Sequence, residues 1–315
     1  MMKKLTIATR TSPLALWQAN YIRQCLQKQH PELEVNLLEL TTRGDKILDA
    51  PLAKVGGKGL FVKELEHALL EGQADIAVHS IKDVPMELPE GLKLAVLCRR
   101  EDPRDCLISK KYSSLEQLPI GARVGTSSLR RKSQLAALRS DLNFVDIRGN
   151  IHTRLAHLDN ASVDAVVLAV AGLVRMELAE QISQSFSMAS ILPAVGQGAL
   201  GLEIRAEDAE VMELIAHLHH AVTGLCVTAE RAMNRRLNGG CQVPIAGYAV
   251  LEHSHLYLRG LVGSVDGRTL LRAESKITLM PNYDVAMEQA DHLGVMVAQQ
   301  LLDQGAQALL QAVEL

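Results

Sequence analysis

Residues 5–29 read LTIATRTSPLALWQANYIRQCLQKQ, and the fold follows from the order of features inside them. LTIAT (5–9) is a short apolar, β-branched run, Arg10 ends it, and Ser12-Pro13 opens a helical pattern that continues from Leu14 to about Gln29. The reading is strand, loop, capped helix. The same order returns in ARVGT (122–126), Ser127-Ser128 and LRRKSQLAALRS (129–140). It returns again in FVDI (144–147), Arg148-Gly149-Asn150 and IHTRLAHL (151–158). Strands alternating with helices predict parallel sheets covered by helices, the α/β class.

Two longer stretches share one plan. GGKGLFVKELEHALLEGQADIAVHS (56–80) and RGNIHTRLAHLDNASVDAVVLAV (148–170) each run glycine turn, helix, small loop, Asp, buried strand, which predicts two similar α/β lobes. CRREDPRD (98–105) interrupts the apolar pattern with charges and Pro103 and is expected to link the lobes. ILPAVGQGALGLEIR (191–205) is the expected return crossing, followed by a helix around Glu207 to His220. LYLRGLV (256–262), TLLRAESKITL (269–279) and a long C-terminal helix then predict a small α+β domain. The expected division is 1–98 with 199–217 for the first lobe, 103–193 for the second and 220–315 for the third domain.

A chain of 315 residues is long enough for two or three cores. Hydrophobic residues at 48% and charged residues at 22% exclude the disordered and fibrous classes. Aromatics at 3% argue against a base-stacking nucleic-acid binder. A net charge of −3 gives no global field for DNA or an anionic membrane, so any anion binding rests on local clusters. Cysteines 25, 98, 106, 226 and 241 form no CxxC pair and no regular framework, which predicts reduced thiols. With no signal-peptide core in MMKKLTIATR and no membrane-length apolar run, a cytoplasmic protein is expected.

Arg10, Arg130, Arg131, Arg148 and Arg154 all fall at or just after the carboxyl end of a predicted strand, beside Ser12, Thr126, Ser128 or Asn150 at a helix start. Ligands of open α/β sheets bind there, where free helix N–H groups and arginine forks both favour carboxylate or phosphate. One such arrangement is ordinary capping with a solvated arginine; three of them predict a cleft for a ligand with several anionic groups. Asp83, in ADIAVHSIKDVP, follows a buried strand, where a carboxylate can stabilise a developing cation and exchange a proton. Read alone, KDVP is only a turn. Cys241, in NGGCQVP, is expected on a tight loop, with Arg231, Arg235 and Arg236 upstream to favour the thiolate. The other cysteines are expected to be inert.

Gly196, Gly198 and Gly201 match GxGxxG in letters, but LEIR after them is strand-like where a dinucleotide site needs a helix. GGKG (56–59) lacks the spacing of a Walker loop and reads as a mobile segment, with Lys54 and Lys58 able to reach an anion. HLHH (217–220) and HSH (253–255) have no partners at ligand spacing, so no metal is expected.

ERAMNRRLNGGCQVPIAG (230–247) resembles the cofactor-attachment motif of the porphobilinogen deaminase family. ATRTSPLALWQ, GGKGLFVKELE, HSIKDVP, VGTSSLRR, IRGNIHTRL and LPAVGQGAL extend the resemblance over about residues 5–250. It implies two lobes like those of type II periplasmic binding proteins, plus a small α+β domain presenting Cys241. It also implies a transferase of porphyrin, tetrapyrrole and heme biosynthesis, which condenses four porphobilinogen molecules head to tail with loss of ammonia and releases hydroxymethylbilane. The primer would be a dipyrromethane cofactor on Cys241 through a thioether, and Asp83 the acid–base carboxylate. Arg10, Ser12, Ser80, Lys82, Thr126, Ser128, Arg130, Arg131, Arg148, Asn150, Arg154, Arg175 and Gln197 would bind cofactor and substrate side chains. The family suggests a monomer that works on a small molecule, with no nucleic acid and no membrane. Two rivals stand beside this reading: a non-catalytic two-lobed solute-binding protein, which has no use for the Cys241 loop, and a dinucleotide-dependent oxidoreductase, weakened by the misplaced glycines.

Overall fold

The computed structural model describes residues 2–46, 59–240 and 243–313. The chain divides into two compact units: the first runs through residue 101 and takes in 199–224, and the second holds 102–198 and the residues from 225 onward.

In the first unit β1 (Lys4–Arg10) leads into α1 (Pro13–Gln29). Ser12 caps the helix by accepting from the Ala15 N–H at 3.4 Å, and Pro13 takes the first turn, where a missing N–H costs nothing. Ala19, Ile22 and Leu26 recur at helical spacing and are buried against β2 (Glu34–Leu40), β3 (Ile76–Ser80) and β10 (Leu200–Arg205). With β4 (Leu92–Leu97) the strands lie in the order β2-β1-β3-β10-β4. β1 is parallel to β2 and β3, and β10 runs antiparallel to both β3 and β4. α2 is a single turn (Arg43–Lys46), and α3 (Lys63–Leu70) buries Leu65, Ala68 and Leu69 against Ala8 and Ala77 on one face of the sheet.

The second unit repeats that sheet. β5 (Asp105–Ile108), β6 (Arg123–Gly125), β7 (Asn143–Val145), β8 (Ala165–Ala169) and β9 (Gln184–Ser185) take the order β7-β6-β8-β5-β9. β6 is parallel to β7 and β8, and β5 is antiparallel to β8 and β9. Position for position this matches the first sheet, down to an antiparallel fourth strand. α4 (Leu129–Leu138) follows β6, α5 (Ile151–Asp159) follows β7 and α6 (Val170–Arg175) follows β8. α7 (Ala209–Ile215) belongs to the first unit. The fold is α/β, with two lobes built on the same strand order and direction.

α8 (Ala221–Arg236) leads to a three-stranded antiparallel meander of β11 (Ile245–Glu252), β12 (His255–Gly263) and β13 (Leu270–Thr278). α9 (Tyr283–Asp303) covers it and α10 (Ala306–Gln311) closes the chain. Its core joins Leu256, Leu258 and Val262 to Leu293, Val297 and Leu301. This α+β region shares the second unit with the second lobe, and two contacts show why. Gly267, at φ +72, sits so close to α4 that a Cβ would lie 2.5 Å from the Ser133 carbonyl oxygen. Buried Glu230 on α8 accepts from the Gly196 N–H at 2.7 Å and the Ala249 N–H at 2.8 Å, one bond on each side. Among the described residues no single helix is long and apolar enough to cross a membrane.

Candidate active site

In parallel strands the carboxyl ends point one way, and on each sheet that edge gathers the predicted side chains. In the first unit Arg10 ends β1, Ser12 caps α1, Ser80 ends β3, and a short 3-10 turn (Ile81–Asp83) places Asp83 just beyond. Arg10, Ser12, Gln18, Phe61, Ser80 and Asp83 line one pocket. Gln18 Nε2 donates to Ser80 Oγ at 2.9 Å, which fixes the serine against α1. Asp83 and Lys82 are half-buried.

Arg10 is already matched to an anion. It makes a bidentate ion pair with Asp45 and stacks on the Phe61 ring, 4.4 Å from its centroid. Thr42 adds its backbone N–H at 3.2 Å and its hydroxyl at 2.7 Å to the same carboxylate. Burial alone would raise the Asp45 pKa; the hydrogen bonds from Arg10 and Thr42 outweigh it and hold the group below its ordinary value.

In the second unit Thr126 follows β6, Ser128 caps α4 and Asn150 caps α5. Arg130 and Arg131 are each 5% exposed and converge on Asp105, which is fully buried. Because β5 runs antiparallel to β8, Asp105 at its start lies opposite Ala169 at the end of β8, at the same sheet edge. Arg130 Nη1 donates to Asp105 Oδ2 at 2.6 Å and to the Leu192 carbonyl at 2.9 Å. Arg131 donates to Asp105 through Nε and Nη2, and to the Val167 carbonyl at 2.9 Å. Gln197 Nε2 joins them, 3.0 Å from Asp105 Oδ1 and 2.7 Å from the Pro103 carbonyl. Burial opposes ionisation of Asp105, yet the two guanidiniums hold its carboxyl far below the usual carboxylate range.

Two further arginines are more open. Arg148 and Arg154 are half-buried beyond β7, with Arg154 Nε donating to the Gly149 carbonyl at 2.9 Å. Arg175 is buried and donates to the Gly198 carbonyl at 2.7 Å. Arg148, Arg154, Ser128 and the α4 and α5 amino ends are a donor set suited to carboxylates, which is what a dipyrromethane bearing acetate and propionate side chains presents. By this chemistry the residues fit that cofactor.

Each lobe thus brings predicted residues together: Arg10, Ser12, Ser80 and Asp83 around one pocket, and Arg130, Arg131 and Gln197 around Asp105, with Ser128 capping the helix that carries the two arginines. Lys54, Lys58 and Cys241 lie outside the described residues. Cys98, Cys106 and Cys226 are buried, and burial pushes the Cys106 thiol up to about 12. Gly201 lies in β10, so the GxGxxG letters precede a strand. Sequence reading missed Asp45, Asp105, Glu230 and a buried trio of Glu66, His79 and Glu203. Asp105 was visible only as one more charge in CRREDPRD.

The profile "Porphobilinogen deaminase, dipyromethane cofactor binding domain" matches residues 5–213, and "Porphobilinogen deaminase, C-terminal domain" matches 224–303. Similar solved structures include a putative methionine-binding lipoprotein from Bacillus subtilis, 15% identical over 69% of this chain and 90% of that one, with a TM-score of 0.44. A methionine-binding protein is 14% identical over 76% of this chain and 96% of that one, with a TM-score of 0.46. The periplasmic aliphatic sulphonate binding protein from Escherichia coli is 14% identical over 76% and 71%, with a TM-score of 0.41. The two matched profiles together run from residue 5 to residue 303, and the chain belongs to the porphobilinogen deaminase family.

Proposed function

We propose that this enzyme is a hydroxymethylbilane synthase in which Asp83 is the acid–base carboxylate, Cys241 holds the dipyrromethane through a thioether, and the arginines at the two sheet edges bind the acetate and propionate groups. The family's reaction joins four porphobilinogen units head to tail, with loss of ammonia at each step, and releases hydroxymethylbilane. The observation that carries the assignment is the place of Asp83: it lines the same pocket as Arg10, Ser12 and Ser80, at the carboxyl end of β3.

At each coupling the C–N bond of an aminomethyl group breaks and its electron pair leaves on ammonia. The pyrrole left behind is positive, and the Asp83 carboxylate beside it lowers the barrier without forming a bond. A pyrrole α-carbon then forms the new C–C bond, and its proton passes to the Asp83 carboxylate and on to ammonia or solvent. When bound, the dipyrromethane supplies the first such nucleophilic carbon. The chain's own part is to neutralise carboxylates that accumulate with every unit. Arg148 and Arg154 suit that part because they are less enclosed than Arg130 and Arg131. Arg130, Arg131 and Gln197 set the shape of the neighbouring loop through Asp105.

The protein is further proposed to act as a cytoplasmic monomer on this small molecule, apart from nucleic acid and membrane. The net charge of −3 and the scarcity of aromatics support that reading. Asp83→Asn is the deciding experiment. It should leave unfolding unchanged and lower turnover by about 10²- to 10⁴-fold; near-parental turnover would reassign the role.

A further inference from the structure

Under the pocket lie three ionisable side chains that the chemistry assigned to Asp83 leaves unused. His79 is 4% exposed, Glu66 6%, and Glu203 fully buried. In the antiparallel pairing Ala77 stands opposite Glu203 and His79 opposite Gly201, so His79 and Glu203 project from one face of the sheet and meet diagonally. His79 Nε2 lies 2.8 Å from Glu203 Oε2, and Glu203 Oε1, equally buried, has no hydrogen-bond partner among the described residues. α3 packs on that same face through Leu65, Ala68 and Leu69 and delivers Glu66 to it. One turn earlier Val62 lines the Asp83 pocket, and so does His79. The trio therefore forms the layer directly behind the pocket wall.

A carboxylic acid beside a buried carboxylate keeps its proton well above the usual range. Burial first, and then the charge on Glu203, raises Glu66 to about 7; His79 and Lys63 act in the opposite direction and Glu64 adds a little to the rise. The charged groups facing the trio are thus Lys63 and Glu64 on α3, with Arg10 and Asp83 in the pocket that His79 lines.

We propose that Glu66, buried on the sheet face that carries Glu203 and His79, supplies a charge behind the Asp83 pocket: when it gives up its proton, one negative charge is added there, and that charge stabilises the cationic pyrrole formed as ammonia leaves. The proposal rests on Asp83 being the catalytic carboxylate. Because the pyrrole cation develops only as ammonia leaves, stabilising it raises kcat more than it changes KM.

The test compares the holoenzyme with Glu66→Gln, which keeps the size and polarity of the side chain and cannot ionise. Between about pH 5 and 9 the parent's kcat should rise through a limb centred near 7. Glu66→Gln should lack the limb and fall about tenfold below the parent at the alkaline end, a larger change than any in KM. A limb of the same height and position in Glu66→Gln overturns the proposal. A second readout is independent of turnover. The folded protein holds the Glu66 proton across the window from the ordinary carboxylate value up to about 7, whereas the unfolded chain has lost it, so stability falls as pH rises through that window. Glu66→Gln should remove that slope, and identical slopes in both proteins also sink the idea. Glu203→Gln keeps an acceptor for His79 but removes the repulsion, so it should move the limb toward acid; a limb that stays put or moves the other way counts against the trio. Turnover by Asp83→Asn would show the Asp83 assignment at fault. An inactive Asp83→Asn alongside a parental profile in Glu66→Gln isolates the failure to the trio.

Discussion

Asp105 Oδ1 accepts two hydrogen bonds from Arg131, at 3.0 Å from Nε and 2.7 Å from Nη2, while Oδ2 takes Arg130 Nη1 at 2.6 Å. One buried carboxylate thus serves two buried guanidiniums. Asp105→Asn leaves both positive charges uncompensated in a site without water access, which should cost about 3–5 kcal/mol in denaturant unfolding. The folded pKa of Asp105 is depressed, so its contribution is present above the unfolded value of about 3.9 and is lost as pH falls below it. The parent should lose stability in acid along a slope that Asp105→Asn lacks.

Arg148 and Arg131 were alike as letters but differ in surroundings. Arg148→Gln should fold with parental stability, within about 0.5 kcal/mol, and accumulate trapped partial chains visible by intact mass. Arg131→Gln should instead lower stability by several kcal/mol because Asp105 then keeps only one guanidinium. Equal thermal behaviour in the two variants would show that burial does not separate their roles.

The Arg10–Asp45 pair places an internal carboxylate where a substrate carboxylate is expected. Its partners are about one fifth exposed, so breaking it should cost no more than about 1 kcal/mol. Asp45→Ala should therefore lower KM two- to fivefold, on the order of 0.5–1 kcal/mol. A higher KM would show that Asp45 holds Arg10 in place.

α8 and α9 touch at Gly294, where a Cβ would lie 2.3 Å from the Ala229 carbonyl oxygen and 2.7 Å from the Met233 nitrogen. Backbone cannot give way as a flexible side chain does. Gly294→Ala should destabilise by about 2–3 kcal/mol and lower Tm by several degrees, without touching the pocket.

Cys241 as the attachment point predicts a two-pyrrole mass increment on the intact chain, mapped to the Cys241 peptide and absent from Cys241→Ser. An active protein of unmodified mass excludes the thioether.

The α/β class and the strand ends carrying Arg10, Asp83, Ser128 and Asn150 were legible because caps and hydrophobic alternation are local signals. β11 and α8 were not isolated, since IAGYAVLE and ERAMNRR were read for their motif and not for their periodicity. Asp105 was hidden for a different reason. Its meaning depends on β5 running antiparallel beside β8, a pairing with residues some sixty positions away. The Glu66, His79 and Glu203 trio needs three elements at once, and no spacing in the chain records it. Conversely, the motif arginines 130 and 131 read as ligands of an anion-binding cleft, and only their burial shows how much of their hydrogen bonding is spent on the protein itself.

Among the described residues β4 has a single neighbour, β10, and β10 is made of residues 200–205. A ribosome therefore releases Leu92–Leu97 long before anything exists for that strand to pair with, and the first lobe stays an open three-stranded ribbon while the whole second sheet is being synthesised. Glu203 arrives on that same late strand. The pocket wall behind Asp83 is thus completed only after residue 205 has emerged.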